Sequence, residues 1–292
     1  MNYEQERGDG GGLIHSFSYS GMSEVLAAAS TENFVKERYR SSREAGKEYW
    51  TGTSSFESAV TLAETGWCEG RELVEVLALQ VQELTGIKAL EMQLSYENQG
   101  LYVDTGEFLT GNPECWAQPV EDEEKHTRMQ GGKFVSMLLN MSVSAGISQD
   151  QILLRGAALA TLTDVLEAYG FRVKIDCSSG VRSPRRGELL ALRFPVKSFG
   201  EALNLDTLVF AAAHPAMFRR IVFGVLEQFP QNIVETFQFA TNIGCYGYPE
   251  EDPLKGDYNF YFGEAMLEKF RTKNDVAEWI VEVGAAYGVR PA

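Results

Sequence analysis

The second half of the chain alternates between apolar runs with the spacing of strands and apolar positions with the spacing of helices. Residues 134–142, FVSMLLNMS, have the length and bulk of a central parallel strand. Ser148 can cap the helix that follows, whose apolar positions recur at helical spacing up to Tyr169. Residues 171–178, FRVKIDCS, and 188–196, ELLALRFPV, predict two further strands.

The C-terminal part of the chain predicts a helix pair, two strands and a final helix. Pro215 interrupts the apolar segment 206–228, so the pattern predicts one helix before the proline and another that begins at it. Residues 232–239, NIVETFQF, and 257–263, DYNFYFG, are expected to form strands. Asn274 is expected to cap the last helix.

These patterns divide the chain into three parts. Residues 1–12 are polar and glycine-rich, and we expect them to form a flexible tail. Residues 13–128 predict an α-rich N-terminal region. Residues 129–292 predict an α/β domain in which helices flank a mostly parallel sheet.

The N-terminal region contains a predicted pair of helices. SSFE at residues 54–57 matches a capping box, and the helix after it is expected to end near Glu64. Gly66 separates this helix from a second one over residues 69–84. Such a pair also fits a DNA-binding helix-turn-helix, but residues 54–86 carry six Glu and one Arg. Since DNA binding requires cationic surfaces, the pattern favours a packed helical hairpin.

The charge of the chain is unevenly distributed. The net charge is −15, which argues against an extensive nucleic-acid-binding surface. Residues 1–130 hold 10 Lys and Arg against 23 Asp and Glu, whereas residues 171–226 hold 9 against 4. The basic segment predicts a surface that binds an anion or an acidic partner protein, and its alternative interpretation is solvated strand ends and a loop. The candidate binding residues are Arg182, Arg185, Arg186, Arg219 and Arg220.

Composition also predicts where the protein is found. No apolar stretch reaches the ~18 residues that a membrane span needs, and the N-terminus lacks an apolar signal core. The four cysteines are scattered without a C-x-x-C pair, which favours reduced thiols over disulfides or a zinc site. We therefore expect a cytoplasmic protein that does not bind membranes.

One short motif at the end of the first predicted strand suggests a metal site. A strand, an Asn140-x-Ser142-x-Ser144 loop, a helix and a second strand follow one another. This order resembles the start of a von Willebrand factor A-like domain, where the first strand ends in Asp-x-Ser-x-Ser. The resemblance covers residues 133–292 and implies a divalent cation site, Mg²⁺ being the expected ion, at the carboxyl edge of the sheet. Later loops of that family add further ligands.

The motif departs from the family at its charged ligand. Asn140 stands where the family has Asp, and an uncharged amide is a weak ligand for Mg²⁺. Asp176 and Asp206 follow later elements and could compensate, and we take Asp206 into the candidate set with Asn140, Ser142 and Ser144. In the alternative interpretation, the loop binds no metal and these side chains only hydrogen-bond the turn.

The chain as a whole resembles an uncharacterised family encoded by bacteriophages and other mobile elements. The segments that carry the resemblance are WTGTSSFESAVTLAETGWCEG, VDTGEFLTGNPECW, RGAALATLTDVLEAYGFRVKI and LDTLVFAAAHPAMFRR. The resemblance implies a phage-related origin, a location in the host cytoplasm or in the virion, and no known activity.

The sequence contains no evident catalytic set. His15, His126 and His214 lie far apart, and neither a G-x-S-x-G elbow nor a Walker A motif occurs. The first functional hypothesis is therefore a phage-related protein–protein interaction or assembly module with a degenerate ion loop, and not an enzyme. The alternative is a metal-dependent enzyme that acts on an anionic, phosphate-containing substrate.

Overall fold

A computed structural model describes residues 1–8, 11–31, 48–85, 94–99, 102–119, 133–144, 146–202, 204–240 and 246–289. The fold is α/β, with one large mixed sheet flanked by helices, as the sequence predicts in its coarse outline. A second sheet of three short strands lies within residues 94–119. One large apolar core extends from Phe17 to Val289.

The large sheet mixes parallel and antiparallel pairs. Its strand order is β1-β2-β8-β7-β6-β10, and β9 pairs with β7. The pairs β2–β8, β7–β6 and β6–β10 are parallel, whereas β1–β2, β8–β7 and β9–β7 are antiparallel. The strands are β1 (Asn2–Arg7), β2 (Leu13–Ser18), β6 (Lys133–Asn140), β7 (Phe171–Arg182), β8 (Leu189–Lys197), β9 (Tyr248–Pro249) and β10 (Phe260–Phe262).

The small sheet has the order β3-β5-β4 and is antiparallel throughout. Its strands are β3 (Leu94–Glu97), β4 (Tyr102–Val103) and β5 (Trp116–Pro119), and helix α5 (Thr105–Leu109) lies between the last two.

The other described helices range from 4 to 20 residues in length. They are α1 (Met22–Ser30), α2 (Glu48–Thr51), α3 (Phe56–Thr65), α4 (Cys68–Thr85), α6 (Gln149–Ala168), α7 (Leu205–Ala213), α8 (Phe223–Leu226), α9 (Gln231–Phe237), α10 (Glu264–Lys269) and α11 (Lys273–Ala286). Helix α6 packs against α4 and α7, and α11 packs against α4.

The predicted N-terminal region and the predicted α/β domain share one sheet and one core, because β2 also joins the large sheet.

Several predicted helix boundaries are confirmed because their signals are local. Ser148 caps α6 in a full capping box with Gln151. Helix α7 ends before His214, and helical structure begins again at Pro215, as predicted. It continues through a π-helical segment, Met217–Val222, that leads into α8. Among the described residues no single helix is long and apolar enough to cross a membrane, although α7 and Met217–Leu226, bent by 72°, meet that test together.

Three local predictions are wrong. Residues 2–7 do not belong to a flexible tail, since β1 pairs along its whole length with β2 and Tyr3 stacks on Phe17. Residues 231–237 form helix α9 instead of a strand, with Ile233, Val234 and Phe237 buried at helical spacing. Thr272, and not Asn274, caps α11, because its side chain accepts the backbone N–H of Asp275.

Candidate functional site

The Asn140-x-Ser142-x-Ser144 loop lies at the carboxyl edge of the large sheet, as expected. Strands β6 and β7 run parallel, and Asn140 is paired with Ser178. Helix α6 follows the loop and packs on β7, so the strand–loop–helix–strand unit predicted from the sequence is present. In open α/β folds this edge is the usual place for a binding site.

The side-chain amide of Asn140 makes four hydrogen bonds. Its Nδ2 donates to the carbonyl oxygen of Glu250 at 2.7 Å and to the hydroxyl of Tyr261 at 2.9 Å. Its Oδ1 accepts the backbone N–H groups of Ser142 at 3.0 Å and Gly180 at 3.3 Å. The residue is 2 % exposed. Both donor and acceptor functions are used, which only an amide of this size provides.

The other candidate metal ligands do not gather around Asn140. Ser142 is buried and shares a 2.9 Å hydrogen bond with Ser179, whereas Ser144 is exposed. Asp206 lies in the first turn of α7 and pairs with Arg71 at 3.3 Å. The other end of that helix approaches the loop, roughly 12 Å further along its axis. The structure therefore does not bring Asp206 to the loop.

Asp176, the other carboxylate considered from the sequence, has protein partners. Its Oδ2 lies 2.7 Å from the ammonium of Lys174 and accepts the hydroxyl of Tyr258 at 2.6 Å. Within the described part of the chain, no three His, Cys, Asp or Glu side chains are close enough together to hold a metal ion. The loop geometry thus matches the hydrogen-bonded turn that the sequence left as the alternative interpretation.

A crossing segment, defined as residues 248–259, begins with β9, which pairs with β7, and continues to Asp252, which contacts Arg193 of β8. Asp252 within it is fully buried and forms a bidentate pair with Arg193, with N–O distances from 2.6 to 3.0 Å. Gly180 of β7 permits the close approach, because a Cβ there would lie 2.4 Å from the carbonyl oxygen of Glu250. Asn140, Arg193 and Gly180 together fix this segment on the sheet.

Substitution of Gly180 by alanine tests that packing. The added methyl group would collide with backbone atoms, which cannot rotate away, so we expect unfolding free energy to fall by about 2 kcal/mol. Urea denaturation of the variant and of a Gly200→Ala control measures the difference, since a Cβ at Gly200 meets no atom within 4 Å. Equal stability of the two variants would show that a Cβ at residue 180 does not collide with the crossing segment.

The five candidate arginines divide into two groups. Arg219 and Arg220 are 5 % and 2 % exposed, so their assignment to a surface patch is wrong. Arg219 donates to the carbonyl oxygen of Trp50 at 2.6 Å, and Arg220 donates to Thr51 and to the carbonyl oxygen of Thr53. They hold the end of α2 onto the core.

The other three arginines are exposed, as predicted. Arg182 pairs with Glu250 at 3.1 Å, and Arg186 lies 3.8 Å from Glu188. Arg185 lies between them in the β7–β8 turn. Part of their charge is therefore neutralised within the chain, and their role in binding an acidic partner stays a prediction.

The histidines also have structural partners. His15 is buried, and its two ring nitrogens lie 2.9 Å from the hydroxyl of Tyr3 and 3.0 Å from a carboxylate oxygen of Glu188. This chain of polar groups ties β1 to the start of β8. His214 is buried between Trp67 and Phe210, and its Nδ1 accepts the backbone N–H of Ala216. His126 lies outside the described residues.

A pocket of about 230 Å³ opens beside the loop at the same sheet edge, and we call it the edge pocket. The guanidinium of Arg219 stacks over the ring of Trp50 at 4.8 Å, and Ser144 lies on the wall of the pocket. Most of the lining is apolar or aromatic. The lining side chains that matter below are Trp50, Val143, Ser144, Phe218, Arg219 and Tyr246.

A much smaller cavity of about 10 Å³ lies next to the edge pocket and shares Val143, Phe218 and Arg219 with it. Arg155 and His214 complete the polar part of its lining. Arg155 donates from Nη1 to the carbonyl oxygen of Asn140 at 2.9 Å, which places its cation directly behind the loop.

The electrostatics around these two cavities are unusual. Burial lowers the pKa of Arg155 to about 10 and also lowers the pKa of Arg219. Arginine side chains in proteins keep their proton at neutral pH. Neither takes part in any ion pair between described residues. The Nη2 of Arg219 and the Nε of Arg155 are buried without a hydrogen-bond partner in the structure.

Residues 94–119, the β3–β5 sheet with α5, form a second notable surface, which we call the acidic apolar unit. Phe108 and Leu109 at the end of α5 are 62 % and 83 % exposed, and Tyr96 and Trp116 are also exposed. The segment contains four acidic residues and no Lys, Arg or His. Its acidic residues are Glu97, Asp104, Glu107 and Glu114.

Sequence reasoning did not identify either the edge pocket or the acidic apolar unit as a site. The unit did carry a readable signal, namely a stretch with several aromatic residues and only acidic charges. The pocket carried none, because Trp50, Ser144 and Arg219 are far apart in the sequence and meet only in the fold.

Comparison with known proteins gives a family but no function. The family described as "Domain of unknown function (DUF7192)" matches residues 14–289. No curated protein matches the chain, and no solved structure does.

Proposed function

This chain belongs to the DUF7192 family, and we propose that it is a protein–protein interaction or assembly module. Its binding surface in this proposal is the acidic apolar unit, and its partner is a protein surface that is both apolar and basic. The observation that carries the proposal is the exposure of Phe108 and Leu109 within a segment that has only acidic charges.

The exposed side chains favour a binding role over a purely structural one. Single exposed apolar residues are common on protein surfaces, but two consecutive large ones with two aromatic residues in the same small unit are less so. Aromatic side chains supply most of the binding energy at protein interfaces when they enter pockets of a partner. Phe108 and Trp116 are the expected anchors.

The charge of the unit selects the class of partner. The unit carries four carboxylates and no basic side chain, and the larger segment 1–130 has 23 acidic against 10 basic residues. Such a surface repels acidic proteins and nucleic acids, and it attracts and orients a basic protein surface. The attraction should weaken as salt screens it.

The test compares two variants that change exposed apolar residues to serine. Phe108→Ser with Leu109→Ser removes the expected anchor Phe108 and its exposed apolar neighbour. Tyr248→Ser is the control, because Tyr248 is 58 % exposed but lies outside the unit. In affinity purification from natively expressing cells, we expect the double variant to recover the principal partner at least about tenfold less well than wild type. The Tyr248 control should recover the partner normally.

Both variants should fold, because exposed substitutions usually change stability by less than about 0.5 kcal/mol. Equal recovery of the partner by wild type and the double variant would contradict the proposal. So would the absence of any stoichiometric partner together with a monomeric state in light scattering. A partner that dissociates as NaCl rises and that carries a net positive charge would support it.

The alternative of a metal-dependent enzyme has less support, because the described candidate ligands Asn140, Ser142 and Asp206 serve other contacts. The von Willebrand factor A-like assignment is a proposal, supported by the parallel β6–α6–β7 unit with its Asn-x-Ser-x-Ser loop. The phage-related origin, and with it a place in the host cytoplasm or virion, is likewise proposed from the sequence resemblance alone.

A further inference from the structure

Arg155 and Arg219 are cationic side chains in the interior that form no direct ion pair with a described residue. Each is at least nine-tenths buried. The charge of Glu264 raises the pKa of Arg155, whereas burial alone acts on the pKa of Arg219, so Arg219 is the one without a counter-charge among the described residues. Burying a charge without a counter-charge is costly, and proteins normally pair such groups or hydrogen-bond them fully. Here each guanidinium keeps a buried N–H group without a partner. Arg219, unlike Arg155, also lines the edge pocket, so an anion bound there would supply its missing counter-charge.

The neighbouring edge pocket provides room for such a ligand. Its volume of about 230 Å³ equals roughly eight water molecules at ~30 Å³ each. This is below the ~300 Å³ at which pockets for drug-sized ligands begin, so the pocket suits a molecule of about the size of benzoate. Phe218, Phe223 and Tyr246 line it, and they favour an apolar or aromatic body.

Arg219 is positioned in advance to bind at this place. Its Nη1 donates to the carbonyl oxygen of Trp50 at 2.6 Å, and its guanidinium carbon lies 4.8 Å from the centre of the Trp50 ring. The side chain therefore loses little conformational freedom when it pairs with a ligand in the pocket. Among the described residues, no Asp or Glu lines either cavity.

We propose that the edge pocket binds a small apolar carboxylic acid, whose carboxylate pairs with Arg219 and whose body contacts the aromatic lining. A planar, singly charged carboxylate matches a guanidinium in shape and charge. Inorganic phosphate lacks an apolar body and carries more charge than this mainly apolar pocket compensates. The site is distinct from the acidic apolar unit, so its test does not depend on the proposed partner.

The experiment measures binding of benzoate to the full chain by calorimetry and by thermal unfolding at constant ionic strength. Benzamide is the neutral isostere, and chloride and phosphate are the inorganic controls. We expect benzoate to bind with one-to-one stoichiometry and to raise Tm saturably, as a ligand of the native state must. Benzamide, chloride and phosphate should leave Tm unchanged.

Two variants place the ligand in the pocket. Arg219→Met removes the cation, and Ser144→Phe places a bulky side chain on an exposed wall of the pocket while keeping the arginine. Each should weaken benzoate binding at least about tenfold, because a charge-assisted pair or the binding volume is lost. Arg182→Met is the control, since Arg182 is an exposed arginine that does not line the pocket.

The results separate the possible occupants. Binding that is lost in both pocket variants and kept in the Arg182 control supports the proposal. An equal response to chloride or phosphate would assign the cations to an inorganic ion and overturn it. The proposal is also overturned if neither benzoate nor its aliphatic counterpart hexanoate binds at millimolar concentration, or if Ser144→Phe binds benzoate as well as wild type.

Discussion

Asn140→Asp is expected to lower the free energy of unfolding by about 3–5 kcal/mol, because it buries a carboxylate in a site built for an amide. An aspartate oxygen would face the carbonyl oxygen of Glu250, which now accepts a 2.7 Å hydrogen bond from Nδ2. The substitution also creates the Asp-x-Ser-x-Ser motif of the metal-binding family. The structure therefore predicts that this variant is destabilised, whereas the family resemblance predicts that it gains a metal site.

Urea denaturation with and without Mg²⁺ distinguishes the two consequences. If the loop is a hydrogen-bonded junction, Asn140→Asp is destabilised and Mg²⁺ does not restore its stability. The matched control is Ser144→Ala, which alters an exposed position of the same motif and should change stability by less than about 0.5 kcal/mol. A rise in Tm of several degrees when Mg²⁺ is added to Asn140→Asp would instead reveal a metal loop that has lost its charged ligand.

Acidification from pH 6.5 to pH 4 is expected to cost the protein about 3 kcal/mol of stability through His214 alone. Burial lowers the pKa of His214 to about 4, below the ordinary value of 6.5. Over this range the unfolded chain takes up a proton at this residue that the folded chain does not. Stability contributed by the neutral ring is therefore complete above pH 6.5 and is lost as pH falls toward the folded pKa.

The variant His214→Asn tests this assignment. Asparagine keeps an acceptor for the backbone N–H of Ala216 but does not titrate. It should be less stable than wild type at pH 7, because it lacks the ring that packs on Trp67 and Phe210. Between pH 6.5 and 4, however, the stability difference between the two proteins should shrink. Parallel unfolding curves with the same pH slope would show that His214 is not the titrating group.

Local signals in the sequence were sufficient for the elements that carry their own caps and periodicity. Strand β6 follows from its apolar run, and α6 follows from Ser148, Gln151 and an apolar face. Gly66 predicts the end of α3, and Pro215 predicts the end of α7 just before it. Each of these features depends on hydrogen bonds or side chains within a few residues, so a single sequence contains the information.

Local signals failed where a distant partner decides the conformation. Residues 2–7 are polar, and they are a strand only because β2 offers its edge. The sequence predicted a mostly parallel sheet without its antiparallel part, and the short turn between β7 and β8 can only join antiparallel strands. Helix α9 has the composition of a strand, and its burial against the core selects the helix instead.

The sequence by itself determined that this is an acidic α/β protein with an Asn-x-Ser-x-Ser loop at a sheet edge. Only the tertiary structure decided what the loop and the arginines do. Asn140 is saturated by Glu250 and Tyr261, more than a hundred residues away in the chain. Arg219 and Arg220 are buried because the carbonyl groups that they cap, near Trp50 and Thr53, come from the other end of the sequence. Charge and spacing identify a residue's chemistry, whereas its partners depend on how the whole chain packs.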